Sequence, residues 1–72
     1  MLAMVEVFRT NVQQKAETGR LCQLLVQQLP GCRIVFDLDD CDKVLKVEGS
    51  NFIPEQVVQV VKQSGFECSI LE

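Results

Sequence analysis

Apolar residues recur along this chain with two different periods. From Arg33 to Asp39 they alternate, with Ile34, Phe36 and Leu38 on one side and Arg33, Val35 and Asp37 on the other. A period of two marks an extended strand with one face buried. The stretch from Val44 to Glu48 repeats it, with Leu45 and Val47 inward and Val44, Lys46 and Glu48 outward. Between the two, Asp39-Asp40-Cys41-Asp42 reads as a hairpin turn, because Asp side chains bond readily to nearby backbone amides. Met4 to Thr10 is strand-like in its β-branched and aromatic content. Its facing stays open, since Val5/Val7 and Met4/Phe8 both form an inward set. A last strand, Phe66 to Leu71, directs Phe66, Cys68 and Ile70 inward, and Gly49-Ser50-Asn51 breaks the strand before it.

Two other stretches follow helical spacing. Val12, Ala16, Gly19, Cys22, Val26 and Leu29 recur at steps of four and three, and Leu25 widens the stripe. Glu17, Arg20, Gln23 and Gln27 lie opposite. Asn11 offers an N-cap with Gln14 three positions on, and Pro30-Gly31 ends the helix. Gly19 on the inner stripe predicts close approach to a sheet. From Pro54 to Ser64, Val57, Val58, Val60 and Val61 favour a strand by propensity. The spacing nevertheless predicts a helix. Pro54 suits a first helical position, Phe52 and Val57 are placed as a hydrophobic staple, and Gly65 supplies the stop.

Gly31 and Gly65 thus each close a helix and precede a strand, so strand–helix–strand is spelled twice. The order β-α-β-β-α-β predicts an α+β, ferredoxin-like sandwich. Its four-stranded antiparallel sheet, in the order 4-1-3-2, carries both helices on one face. Residues 1–72 form one domain, of a size that buries roughly 60% of its unfolded surface.

With 47% hydrophobic residues the chain is no disordered segment. Its net charge of −3, without a Lys/Arg cluster, argues against nucleic acid as a partner. No apolar run approaches the ~20 residues that span a bilayer, so no membrane partner is expected. Met1-Leu2-Ala3-Met4 is too short for an export leader, with Glu6 and Arg9 interrupting anything longer. A cytoplasmic location with reduced thiols is the expectation. There is no histidine for acid–base or triad chemistry and no phosphate-cradling glycine loop. Neither an enzyme nor a bound cofactor is expected.

Cys22, Leu25, Val26 and Leu29, followed by Pro30-Gly31, resemble the first helix and exit turn of heavy-metal-associated domains, the modules of copper chaperones and metal-pumping ATPases. Pro54-Glu55-Gln56-Val57-Val58 through Ser64-Gly65-Phe66 resembles that family's second helix and its passage into the last strand. The resemblance implies the same fold and, in the family, a Met-x-Cys-x-x-Cys loop whose thiolates grip a soft ion such as Cu(I). Here Gln13, Lys15 and Thr18 fall where the methionine and the two cysteines would be, so the chain departs from the family at its functional point.

No two cysteines form a C-x-x-C pair. Cys22 and Cys68 fall on inner faces as small core residues, and Cys32 reads similarly. Cys41, in the turn with Asp39, Asp40 and Asp42, is the exception. One thiol and three carboxylates could hold a borderline ion such as zinc, at the end of the sheet shared with Lys15 and Thr18. The ammonium of Lys15 would there stand in for a metal's positive charge. The other expectation is a protein-interaction or regulatory module. If Val5 and Val7 point inward, then Met4, Phe8, Val35, Val44 and Leu71 form an apolar patch on the open sheet face. Such a patch marks an interface with a protein partner or a second copy.

Overall fold

A computed structural model of the chain describes residues 3–71. Six elements follow one another: β1 (Met4–Thr10), α1 (Lys15–Gln28), β2 (Arg33–Asp37), β3 (Val44–Gly49), α2 (Pro54–Gln63) and β4 (Cys68–Ile70). The strands make one antiparallel sheet in the order β2-β3-β1-β4. That is the expected strand order.

Register decides which side chains meet. Phe36, Leu45, Phe8 and Ile70 lie in one row across the sheet, and Ile34, Val47 and Glu6 in the next. Phe8, Leu45 and Val47 are wholly buried, in one cluster with Leu25 and Leu29 from the first helical segment and Val57 and Val61 from α2. Both helices therefore cover the same face of the sheet. The facing of β1 follows: Phe8 goes in, so Val5, Val7 and Arg9 go out.

α1 begins later than the sequence predicts. Asn11 to Gln14 lie outside the helix, and Gln14, in extended backbone, rather than Asn11 is the N-cap, its amide donating to Glu17 Oε1 at 3.3 Å. The buried stripe matches the expected one at Val12, Leu25 and Leu29 and differs elsewhere. Leu21, Leu25 and Leu29 are buried, whereas Ala16, Gly19 and Val26 are exposed. Leucines at i, i+4 and i+8 bury far more apolar area than Ala, Gly and Val, so they take the face. Gly19 is no point of close approach, since a methyl there would meet nothing within 4 Å.

α2 keeps its helical form despite four valines. Pro54 occupies the first turn, and Phe52 and Val57 are both buried in the same cluster, as a staple requires. Gly65, at φ 95°, makes the left-handed stop after Ser64. The last strand is shorter than expected because two amides are taken elsewhere. Phe66 N–H donates to Val61 O and Glu67 N–H to Asn11 Oδ1, leaving Cys68 to start the ladder. Phe66 is half-buried and Ile70, on this short edge strand, stays 38% exposed. β2 likewise ends at Asp37, not Asp39, where Asp37 Oδ1 accepts the Asp39 amide and turns the chain.

The close approach is at Gly49, which is buried. A Cβ there would lie 2.6 Å from Cys32 Sγ and 3.3 Å from Phe52 Cδ1. Gly49→Ala is expected to destabilise the fold by about 1–3 kcal/mol through overpacking. Adding Cys32→Ala should restore most of that loss. Gly19→Ala, in an open helix position, should stabilise by ~1 kcal/mol. Urea unfolding of the variants checks all three signs.

Candidate functional site

Two features carry the chemistry of this chain: the end of the sheet bearing the acidic turn, and the open face. At that end, Thr10 closes β1 in a buried position and its hydroxyl works twice. It donates to Lys43 O at 2.6 Å and accepts the Val12 amide at 3.3 Å. Thr10 N–H also donates to Asp42 O at 3.2 Å, so β1 is stitched to the β2–β3 turn. Asn11 stitches the same end to the segment before β4, its Oδ1 accepting from Glu67 N–H at 2.8 Å and its Nδ2 donating to Glu67 Oε2 at 3.4 Å. The strand-end loop, the turn and the approach to β4 thus meet at one end. Thr10 was not singled out in the sequence, and Asn11 was read as a helix cap and not as a clasp; the signal available was two consecutive polar side chains just past Phe8, where the strand ends.

Within the turn, the ligand atoms of Asp40, Cys41 and Asp42 lie within 4.8 Å of one another. Asp39 is not in that group. It lines a depression with Lys15, Thr18, Phe36, Asp37 and Leu38 instead. The carboxylates already have work to do in the turn. Asp40 Oδ1 accepts the Asp42 amide at 2.9 Å, and Asp42 Oδ1 lies 3.4 Å from Arg9 Nε. That ion pair is largely exposed and contributes little. Lys43 follows at φ 48°, an uncommon conformation for a residue with a side chain, held by its amide on Asp40 O and its Nζ on Leu38 O, both at 3.0 Å. The chemistry is that of a self-satisfied acidic turn offering three ligands from consecutive residues, one fewer than a closed zinc site takes.

Lys15, exposed, is the first residue of α1 and faces the carboxylate-bearing rim of that depression. Thr18 spends its hydroxyl on Lys15 O at 2.7 Å. Gln13 is exposed in the extended segment before them. An ammonium and a hydroxyl committed to backbone are no soft-metal ligands.

The four cysteines are all free thiols. Cys41 is exposed, Cys22 and Cys32 are half-buried and Cys68 is buried. Burial raises the Cys22 pKa, and pushes that of Cys68 up to about 11, with Lys62 opposing the shift.

The open face carries Arg33, Val35 and Asp37 from β2, Val44, Lys46 and Glu48 from β3, and Val5, Val7 and Arg9 from β1. Val35 and Val44 lie there as expected. Phe8 does not: it is core, and Met4 shares its side of the sheet, so neither belongs to this surface. A fully buried Phe8 in contact range of Leu45 and Ile70 outweighs the smaller valines, and the parity of the strand carries Met4 with it. Val5 and Val7 take their places, and Leu71, whose amide donates to Val7 O at 2.9 Å, extends the row. Val5 is 52% and Val35 42% exposed. They flank a shallow depression completed by Arg33, Lys46 and Glu48.

No protein-family model, curated protein or solved structure matches the chain. Among the described residues, no helix is long and apolar enough to cross a membrane.

Native alkylation with iodoacetamide, mapped by mass, should modify Cys41 first and Cys68 only after unfolding. Cys68 also sets a pH dependence. Its thiol rises from an ordinary 9.0 to about 11 in the fold, so between those values the unfolded chain loses the proton first. Its contribution to stability is therefore full below pH ~9 and declines as pH rises toward 11. Cys68→Ala should flatten that decline in urea unfolding compared across the range.

Proposed function

We propose that this chain is a non-enzymatic protein-interaction module on a ferredoxin-like frame akin to heavy-metal-associated domains, and that it works through the open sheet face rather than through a metal. One observation carries the reading. Val5, Val7, Val35 and Val44 lie outward on three adjacent strands, on the face that neither helix covers. Strand residues on a solvated face are usually polar, and contiguous apolar ones mark an interface. Covering them yields ~25 cal/mol per Å² before the costs of association.

The charges specify the partner. Lys46 stands between Val35 and Val7 in the middle row, with Arg33 and Arg9 at opposite corners. Arg33 and Lys46 form no ion pair among the described residues. The face, which also holds Asp37 and Glu48 against its three cations, keeps one positive charge in excess, compared with −3 for the chain as a whole. It suits a protein segment with apolar side chains bordered by carboxylates. A second copy stacked face on face would set lysine against lysine. The test is an amide chemical-shift titration with a synthetic amphipathic peptide of alternating leucine and glutamate, against its leucine–lysine counterpart. Shifts at Val5, Val7, Val35 and Lys46 with the acidic peptide alone are expected, and Val7→Lys should remove them. No response, or equal response to both peptides, would defeat the reading.

A second reading, metal handling by a site relocated around Cys41, draws on the convergence of Asp40, Cys41 and Asp42. With the family's thiolate pair replaced by Lys15 and Thr18, weak binding is expected. Anaerobic competition against a chromogenic Cu(I) chelator, and the same for Zn(II), should show no stoichiometric capture. Capture that Cys41→Ser abolishes would replace the interaction reading with the metal one.

A further inference from the structure

The edge of the sheet at β2 carries a pattern that the open face does not explain. β2 reads Arg33-Ile34-Val35-Phe36-Asp37. Turned end for end about Val35, it sets Arg33 opposite Asp37, Ile34 opposite Phe36 and Val35 opposite itself. Opposite charges and matched apolar residues are what favourable antiparallel neighbours need. The strand also lacks the devices that blunt an edge. It holds no proline and no lysine, and its pairing with β3 runs through all five residues without a bulge. The other edge strand, β4, is protected by having only three residues.

A second surface lies beside it. On α1, the flank of Glu17, Arg20 and Leu24 borders Ser64 and Phe66, and so looks toward α2. The opposite flank, which carries Lys15, Gly19, Cys22 and Val26, lies on the β2 side, where Lys15 borders Phe36 and Asp37. Val26 is 50% exposed there, Cys22 is half-buried, and Gly19 has open space around it. Ile34 and Phe36 belong to the core-facing rows yet are only half-buried. Half-buried Ile34 and Phe36 and half-exposed Val26 therefore leave apolar surface open on this side of the molecule.

We propose that β2 pairs antiparallel with β2 of a second copy, joining two four-stranded sheets into one of eight strands. The dyad passes through Val35, which makes the contact isologous and self-limiting. Both Arg33–Asp37 pairs form across it, the free edge amides and carbonyls are satisfied as in other strand additions, and the Gly19–Cys22–Val26 flanks come side by side. Most of the open face remains uncovered; Arg33 and Val35, at its β2 border, belong to both contacts, whereas Val5 and Val7 belong to the open face alone.

Sedimentation of the whole chain over a concentration series up to millimolar should show a monomer–dimer equilibrium. Arg33→Asp sets carboxylates against each other at both ends of the strand, and should raise the dissociation constant about tenfold or more. The swap Arg33→Asp with Asp37→Arg should restore it. Val7→Lys, on the open face, should leave it unchanged while removing the peptide response. Because Asp37 also caps the turn, amide spectra must show each variant folded. A second readout needs no variant: the outward amides of β2 should exchange more slowly in the unaltered protein as its concentration rises. A monomer throughout, or a dimer indifferent to Arg33→Asp, overturns the proposal. So does a dimer abolished by Val7→Lys, which would put the second copy on the open face.

Discussion

Phe8 sits in the middle of β1, opposite Leu45 on one side and Ile70 on the other, and no part of it reaches solvent. β1 joins the β2–β3 hairpin to β4, so its facing is carried to both sides of the sheet. A strand offers two faces, and a shift of one residue exchanges them. With Phe8 inward, Leu45, Phe36 and Val47 follow by register, and the helices have one apolar surface on which to lie. The valines that lose this competition become the outer surface. The open face is thus the complement of the core choice, and one side chain separates the two.

The hairpin strands were legible in the sequence because their alternation is clean and both faces differ in character. β1 was not, because Val5 and Val7 compete with Met4 and Phe8 on nearly equal terms until the neighbouring strands are placed. α1 shows a different difficulty. Of the stripe read through Val12, Ala16, Gly19, Cys22, Val26 and Leu29 with Leu25 beside it, Val12, Leu25 and Leu29 are buried. Leu21 joins them, because the volume beneath the helix selects the leucines, and Ala16, Gly19 and Val26 are left exposed. The ends of β2 and β4 depended on side-chain bonds from Asp37 and Asn11, which no pattern of hydrophobicity records.

At the acidic end, Lys15 and Thr18 border Asp39, while Cys41 clusters with Asp40 and Asp42, and how each group is engaged was not legible in the sequence. The carboxylates bond within their own turn and to Arg9, the Thr18 hydroxyl serves the helix, and Thr10 bolts the turn to the central strand. These groups are largely spent on holding three chain segments in place, as buried and half-buried polar groups generally are.

β4 hangs on one neighbour by a ladder from Cys68 to Ile70, clasped at its start by Asn11 and Glu67. A strand this short has few bonds to lose, and local opening there would be the partial unfolding that the fold resists least. Cys68 would then be the first core group to meet water, whereas Phe8 would keep Leu45 on its far side. The rate at which a disulfide reagent captures Cys68 is therefore a clock for that partial opening, and its dependence on denaturant would distinguish the loss of one strand from the loss of the whole fold.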